Sequence, residues 1–324
     1  MQPLLEVKDL KTYFTIKAGD VKAVDGVSFT IQKGESLGLV GESGCGKTTT
    51  ALSVIKLLPE NGYIADGQIL FEGKDITHSK DEELYRFRWS EVSMIFQGAM
   101  NALNPVQRVS DQIMEALFIH YPKITKEEAL AKVKQLFELV EIDPQLMHGY
   151  PHEFSGGMRQ RAIIAMALSC DPKLIIGDEP TTALDVMVQA QIIDLINDLR
   201  TKLHMSLLMI THDLSIITEV CDKIAVMYAG KIVEYGTTDE VVTYFLHPYT
   251  EKLIGAFPNI YKERKMVDSI PGDPPDLFDP PPGCRFAPRC VEFVEGLCDV
   301  VEPVLLEVRP GHFVACHRRK VEHE

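Results

Sequence analysis

No apolar run in this 324-residue chain is long enough to cross a bilayer. The longest stretches, such as "AIIAMALSC" at 162–170, fall well short of the ~20 residues a spanning helix needs. The N-terminus, "MQPLLEVKDLKTYF", lacks a basic segment followed by an apolar core, so no secretory leader is read there. A cytosolic setting is expected, where thiols stay reduced and disulfides are rare. Basic excess is missing too: 33 Lys and Arg stand against 47 Asp and Glu, a net charge of −14. That argues against a nucleic-acid footprint, which needs positive charge spread over a face. Cysteine is scarce along most of the length, with only Cys45, Cys170 and Cys221 before residue 283. No internal repeat is found. What remains, 45% hydrophobic and 25% charged, is ordinary for a soluble globular protein. It has room for one large domain with a smaller companion, or for two domains.

The first ~35 residues alternate like strands, "LLEVKDLKTYFTI" and then "VKAVDGVSFTI" with a glycine turn. "SLGLV" (36–40) is a short apolar strand and "KTTTALSVIKLL" (47–58) a helix. Helical apolar spacing at Ala129, Val133, Leu136 and Val140 predicts a helix within 124–140. "KLIIGDEP" and "SLLMITHD" carry the continuous apolar runs of buried strands, and residues 186–203 between them read as an amphipathic helix. Strand, helix, strand in that order implies a parallel sheet with right-handed crossovers. Beyond residue 245 the composition shifts. Seven of the nineteen prolines fall within 271–288, so this stretch can be neither helix nor central strand and reads as a linker.

"GESGCGKT" (41–48) fits G-x-x-x-x-G-K-[ST] between a strand and a helix. In that setting Gly41, Glu42, Ser43, Gly44, Cys45 and Gly46 curl backbone N–H groups around an anion at a helix start. Lys47 would reach the β- and γ-phosphates, and the Thr48 hydroxyl would hold Mg²⁺, with Thr49 beside it. The competing reading is a glycine-rich turn that happens to hold a lysine. "LIIGDEP" (174–180) places two carboxylates at the carboxyl end of a buried strand, where ligands gather in open α/β sheets. Asp178 fits a ligand of Mg²⁺ or its water, and Glu179 a base for an attacking water. Alone, the pair is better read as a surface acidic pair at a strand end. "FSGGMRQR" (154–161) sets Ser155 at a helix N-cap, and with Gly156 and Gly157 offers a second anion site. Alone, it reads as a capped helix start. Two such sites would be excessive for one nucleotide in one small domain.

The order of these motifs carries a resemblance. The P-loop at 41–48 is followed by "FQ" (96–97), "SGGMRQR" just upstream of "LIIGDEP", "TTALD" (181–185) and "ITHD" (210–213). Over about residues 4–240 the chain resembles an ABC-transporter ATPase subunit. The resemblance implies an α/β P-loop NTPase fold of the ABC ATPase type. Its nucleotide-binding domain would span 1–245, a mixed sheet core with an inserted helical subdomain at about 98–168. It also implies a head-to-tail dimer with a second ATPase subunit, identical or similar, in which ATP lies between one P-loop and the partner's signature loop. Ser155 would then meet nucleotide across the dimer. Gln97 would sense Mg²⁺ and the γ-phosphate, Asp185 would link the two sites, and His212 would contact the γ-phosphate and help hold the attacking water. Val24 would pack against adenine and Phe14 would stack on it, with Tyr13 as the rival, since a shift of one residue exchanges them. Three positions depart from the usual pattern: Phe154 for leucine, Gly98 for an acidic residue, and Cys45 for serine, where oxidation could block ATP.

"FQGAMNALNPV" (96–106), "YPHEFSGGMRQR" (150–161), "HPYT" (247–250) and the C-terminal cysteines narrow the resemblance to the ATPase subunits of dipeptide and oligopeptide importers. Nickel and glutathione importers share much of this pattern. A soluble ABC ATPase without a transporter is the remaining alternative, although soluble translation types carry two cassettes. A protein that is chiefly a redox-sensing or interaction module is set against the complete set of hydrolytic residues. The resemblance implies transmembrane permease partners, an extracytoplasmic peptide-binding protein acting indirectly, and a place on the cytoplasmic face of the membrane.

Residues 246–324 read as an extension, in which Cys284, Cys290, Cys298 and Cys316 make a small cysteine-rich, metal-binding appendix. The paired C-x2-C knuckles of structural zinc are absent. Four thiolates on a proline-stiffened loop suit an iron–sulfur cluster, and the resemblance points to [4Fe–4S], with Zn²⁺ as the alternative. His312 and His317 are read as surface residues, or as substitute ligands. Because the P-loop is distant in sequence and has its own core, ATP hydrolysis is expected to survive loss of a cysteine.

Overall fold

The computed structural model describes residues 2–99, 102–182, 184–256 and 270–319. Met100 and Asn101 of "FQGAMNALNPV" and Ala183 of "TTALD" lie outside them. The chain opens with β1 (Leu5–Ile16), β2 (Gly19–Ile31), β3 (Ser36–Val40), α1 (Lys47–Val54), β4 (Gly62–Phe71) and β5 (Lys74–Asp75). There follow α2 (Asp81–Ser90), β6 (Val92–Ile95), α3 (Val109–His120), α4 (Lys126–Leu139), α5 (Gly156–Leu168), β7 (Leu174–Asp178), α6 (Val186–Leu203) and β8 (Ser206–Ile210). Last come α7 (Leu214–Val220), β9 (Lys223–Tyr228), β10 (Lys231–Thr237), α8 (Thr238–Thr243), α9 (Pro248–Gly255), β11 (Leu306–Arg309) and β12 (His312–Val314). None of these helices is long and apolar enough to cross a membrane.

Two compact units share these elements. The first comprises Met1–Ile31, Ser36–Thr77 and Ile210–Glu324. It holds a four-stranded sheet in the order β2-β1-β4-β5, and the strands β11-β12-β10-β9-β3 side by side. The alternating segments are strands, as predicted, and β1 and β2 pair antiparallel, with register shifts that keep Leu5, Val7, Leu10 and Thr12 buried. Every residue of β3 is buried, which is why Leu37 to Val40 read as an unbroken apolar run. It runs parallel to β9, with Leu39 beside Ala225 and Val40 beside Val226.

The helix after the P-loop is shorter than 47–58. It ends at Val54, because Lys56 turns into the left-handed region at φ 55°, where a helix cannot continue. The C-terminal segment also differs from the expected appendix. Its β12 pairs with β10, Glu234 opposite Val314 and Tyr235 opposite Phe313, and β11 pairs with β12. Phe286, Val308 and Val314 are buried in the same unit. The segment thus adds two strands to an existing sheet rather than building a core of its own.

The second unit comprises Gln32–Glu35 and His78–Met209. Its strands lie in the order β8-β7-β6, with β6 and β7 parallel, and helices α2 to α6 complete it. The predicted helix within 124–140 is α4, opened by a capping box in which Thr125 and Glu128 satisfy each other's backbone N–H. Its apolar face, Ala129, Val133 and Leu136, is buried, as is Val140 just beyond it. Helix α6 spans the predicted 186–203, begun by the Asp185 side chain and ended by His204 in the left-handed conformation.

Candidate functional site

In the first unit, β3 delivers the chain into the loop 41–46, and α1 leaves it at Lys47. Two glycines there have no substitute. A Cβ at Gly41 (φ 151°) would sit 2.1 Å from the Met227 carbonyl oxygen, and one at Gly46 (φ 103°) would sit 2.3 Å from that of Ala23. The Lys47 ammonium folds back on the loop, donating to the carbonyls of Gly41 (2.8 Å) and Glu42 (3.0 Å). Ser43, Gly44 and Thr48 are exposed at the mouth, while Thr49 is half-buried. Cys45 is buried, and burial raises its thiol pKa against the opposing pull of Lys47. A protonated, enclosed thiol reacts slowly, so the oxidation block expected at this position loses its basis.

Tyr13 and Phe14 have different surroundings. The Tyr13 hydroxyl donates to Asp25 (2.8 Å), and its ring packs edge-on against Tyr63. Phe14 pairs with Gly62 on β4, where a Cβ would come within 2.8 Å of its ring and 3.4 Å of Leu58, just beyond α1. Thr12, two residues earlier, bonds Ser53 of α1 at 2.8 Å. Val24 differs from expectation. It is 0% exposed, opposite Thr12 of β1 in the sheet, and presents no surface to a base. His212 is exposed ahead of α7, whose first turn is capped by the Asp213 side chain.

In the second unit, β7 ends at Asp178, 2% exposed, and the chain turns sharply at Glu179 with φ 47°. That conformation is uncommon for a non-glycine residue and clusters at functional sites. The structure brings Gln97 to it: the Gln97 amide donates to the Glu179 carboxylate at 2.8 Å, and the Thr182 hydroxyl donates to the same oxygen at 3.1 Å. Gly98 follows at φ 68° with open space around it, so glycine suits the turn that an acidic residue would strain. Ser155 caps α5 by accepting from Met158 N–H (3.2 Å), as predicted. A Cβ at Gly157 would fall 2.9 Å from Val188 of α6, so α5 and α6 approach closely there. Asp185 caps α6 through Val188 N–H at 3.0 Å.

Two residues in these motifs went unassigned from sequence. Gln160, buried on α5, donates to the Pro180 carbonyl, and Thr182 orients Glu179. Their presence inside "SGGMRQR" and "TTALD" was the only available signal.

Cys284, Cys290, Cys298 and Cys316 line one small pocket, together with Glu292 and His317. Burial pushes the Cys284 thiol up to about 11 and raises those of Cys290 and Cys316. Among the described residues, no three His, Cys, Asp or Glu side chains close around a single ion. His312 differs from expectation: it is 0% exposed, with Nε2 2.7 Å from the equally buried Glu234, and so is neither a surface residue nor a ligand of this pocket. His317 borders the pocket and donates from Nε2 to the Val301 carbonyl (2.8 Å).

Comparison with known proteins gives this geometry its context. The ABC transporter family matches residues 24–182, and the family "Oligopeptide/dipeptide transporter, C-terminal region" matches residues 233–298. The dipeptide transport ATP-binding protein DppD of Bacillus subtilis is 46% identical over 319 residues, 98% of this chain and 95% of that protein. The oligopeptide transport ATP-binding protein OppD of Escherichia coli is also 46% identical, over 97% of this chain and 93% of its own. Among solved structures, cbiO1 of Clostridium perfringens superposes with a TM-score of 0.65 at 27% identity, covering 75% of this chain and 92% of its own. The cassette MJ0796, in a dimer bound to ADP and Pi, gives the same TM-score at 23% identity over 72% of this chain and 98% of its own, a likeness of fold. With near-complete coverage at this identity, the chain belongs to the ATP-binding subunits of the oligopeptide/dipeptide ABC transporter family.

Proposed function

We propose that this ABC ATPase hydrolyses ATP to drive import of dipeptides or oligopeptides through membrane-spanning permease subunits, working at the cytoplasmic face in a head-to-tail pair of ATPase subunits. The observation that carries the catalytic part is the Gln97–Glu179 hydrogen bond at the end of a buried strand. A carboxylate held by an amide and a hydroxyl is aimed rather than free to wander, which is what a general base needs. Lys47 leaves its loop carbonyls for the β- and γ-phosphates, and the loop N–H groups take the remaining charge. Thr48, Asp178 and Gln97 are oxygen donors of the kind magnesium takes; the ion would neutralise phosphate charge. Glu179 takes the proton of the attacking water, and His212 steadies the γ-phosphate. Ser155, Gly156 and Gly157 serve the partner's nucleotide, and Asp185 relays between the two sites. Phe14 is the better adenine platform, since the Tyr13 ring is engaged by Tyr63 and its hydroxyl by Asp25. A groove of about 230 Å³ on the second unit, lined by Tyr85, Trp89, Ile119 and Met166 among others, supports contact with a permease.

We propose the four-cysteine pocket as the seat of a [4Fe–4S] group, with Zn²⁺ as the alternative. What supports the reading is the donor set, four thiols around one space, although among the described residues no three of them close around a single ion. Cys284, Cys290, Cys298 and Cys316 would hold the cluster, whose iron–thiolate bonds would tie together a segment poor in core. The free space between them is only about 10 Å³, so the side chains must spread to admit it. The test is reconstitution of the full transporter in vesicles, with peptide uptake measured against ATP, nickel and glutathione controls. Anaerobic purification with iron, sulfide and zinc analysis tests the pocket. Uptake of nickel or glutathione in place of peptide would overturn the substrate reading, and colourless protein with stoichiometric zinc the cluster.

A further inference from the structure

The motif "HPYT" and the arginine before Cys290 have no part in the chemistry above, yet both end at the P-loop. His247 caps α9 through Nδ1, which accepts from Tyr249 N–H at 3.0 Å. That cap sets Tyr249, 0% exposed, with its hydroxyl accepting from the backbone N–H of Glu42 at 2.8 Å. From the other side, Arg289 grips the Glu42 carboxylate with both terminal nitrogens, at 2.6 and 2.9 Å. Its remaining donors go to Tyr228 Oη and the carbonyls of Pro271 and Ile270, so the whole guanidinium fork is committed. Tyr228, Tyr249 and Phe286 fill the space beneath, with ring centroids 4.7 to 5.4 Å apart.

Glu42 is therefore tied at three points. Its N–H goes to Tyr249, its carboxylate to Arg289, and its carbonyl receives Lys47 Nζ at 3.0 Å and Cys45 N–H at 3.3 Å. The peptide that Lys47 must release on meeting phosphate is thus oriented from outside the loop, by residues about 207 and 247 positions away. We propose that Tyr249 and Arg289 are positioning residues for the nucleotide, holding Glu42 so that the P-loop keeps its anion-ready shape and ATP affinity depends on the C-terminal segment.

The proposal rests on residues 41–48 binding ATP, and its test separates the two. In the full transporter, Lys47→Ala should abolish ATP binding while the wild type binds; a wild type that binds no ATP would sink the nucleotide reading itself. Given binding, Arg289→Met and Tyr249→Phe should each raise KM for ATP about tenfold, the loss expected for a partly buried charge-assisted or backbone-directed hydrogen bond. The kcat at saturating ATP should stay within about twofold. Glu42→Gln, which keeps the volume, should raise KM likewise if Arg289→Met proves too unstable to purify. The double variant Glu42→Gln/Arg289→Met should be no worse than the poorer single one. Lowered thermal stability with unchanged KM in Tyr249→Phe and Glu42→Gln would show a merely structural brace and overturn the proposal. A fall in kcat without a rise in KM would overturn it too.

Discussion

Replacing Glu179 by glutamine isolates the proton from the geometry. The two side chains share length and shape, and glutamine keeps one oxygen able to accept from Gln97 and Thr182, which now donate to a single carboxylate oxygen at 2.8 and 3.1 Å. The backbone at φ 47° is as acceptable to glutamine as to glutamate, so no new strain enters. Stability should change little, within the ~0.5 kcal/mol usual for substitutions that remove no packing. The amide cannot take a proton from water. A positioned base contributes about 10²–10⁴-fold, or roughly 2.7–5.4 kcal/mol of barrier, so turnover should fall by that factor. ATP binding, which uses Lys47 and the loop N–H groups, should persist. Steady-state phosphate release, read beside nucleotide titration and ATP-dependent dimerisation, makes the comparison. Hydrolysis within tenfold of the wild type would remove Glu179 from the base role, and lost binding would show that the carboxylate shapes the site instead.

Three further outcomes follow from the same geometry. Ser155→Arg removes the α5 cap, costing about 1 kcal/mol, and should stop hydrolysis while monomer affinity for ATP is kept; a fall in monomer affinity as large as that of Lys47→Ala would refute the role across the dimer. His247 is fully buried, and burial, with help from Arg319 and against Glu292, pushes its pKa from 6.5 down to about 3. The unfolded chain therefore binds a proton below pH 6.5 that the fold refuses. His247 is without penalty above that pH and costs up to about 1.4 kcal/mol per pH unit as pH falls towards 3. Denaturant melts of His247→Asn, which can still cap α9, should lack that slope; parallel pH profiles would count against it. Cys290→Ser should raise KM for ATP, because Arg289 adjoins it, and the independence of ATP hydrolysis expected from sequence separation would then hold for kcat alone.

The chemistry-bearing segments were legible because each is local. A P-loop needs glycines where φ is positive and the backbone is crowded, and Gly41 and Gly46 declare that within eight residues. Helices α4 and α6 were legible through apolar spacing along their own length, and the structure adds the caps Thr125 and Asp185 that fix where they begin. Buried strands β3 and β7 carry unbroken apolar runs, Leu37 to Val40 and Leu174 to Gly177, because every residue along them is buried. What sequence order could not decide was which distant surfaces meet. Val24 alternates like an accessible strand residue, yet the fold leaves it 0% exposed. His312 looks like a polar surface residue until Glu234, 78 positions away, receives it in the core. The C-terminal segment reads as a separate appendix because its prolines and cysteines stand out. Its β12 nevertheless completes the sheet beside β10, and Arg289 closes on Glu42 across 247 residues. No periodicity encodes such a pairing: a salt bridge is specified by where the sheet carries its two ends, and only the folded chain brings them within hydrogen-bond reach.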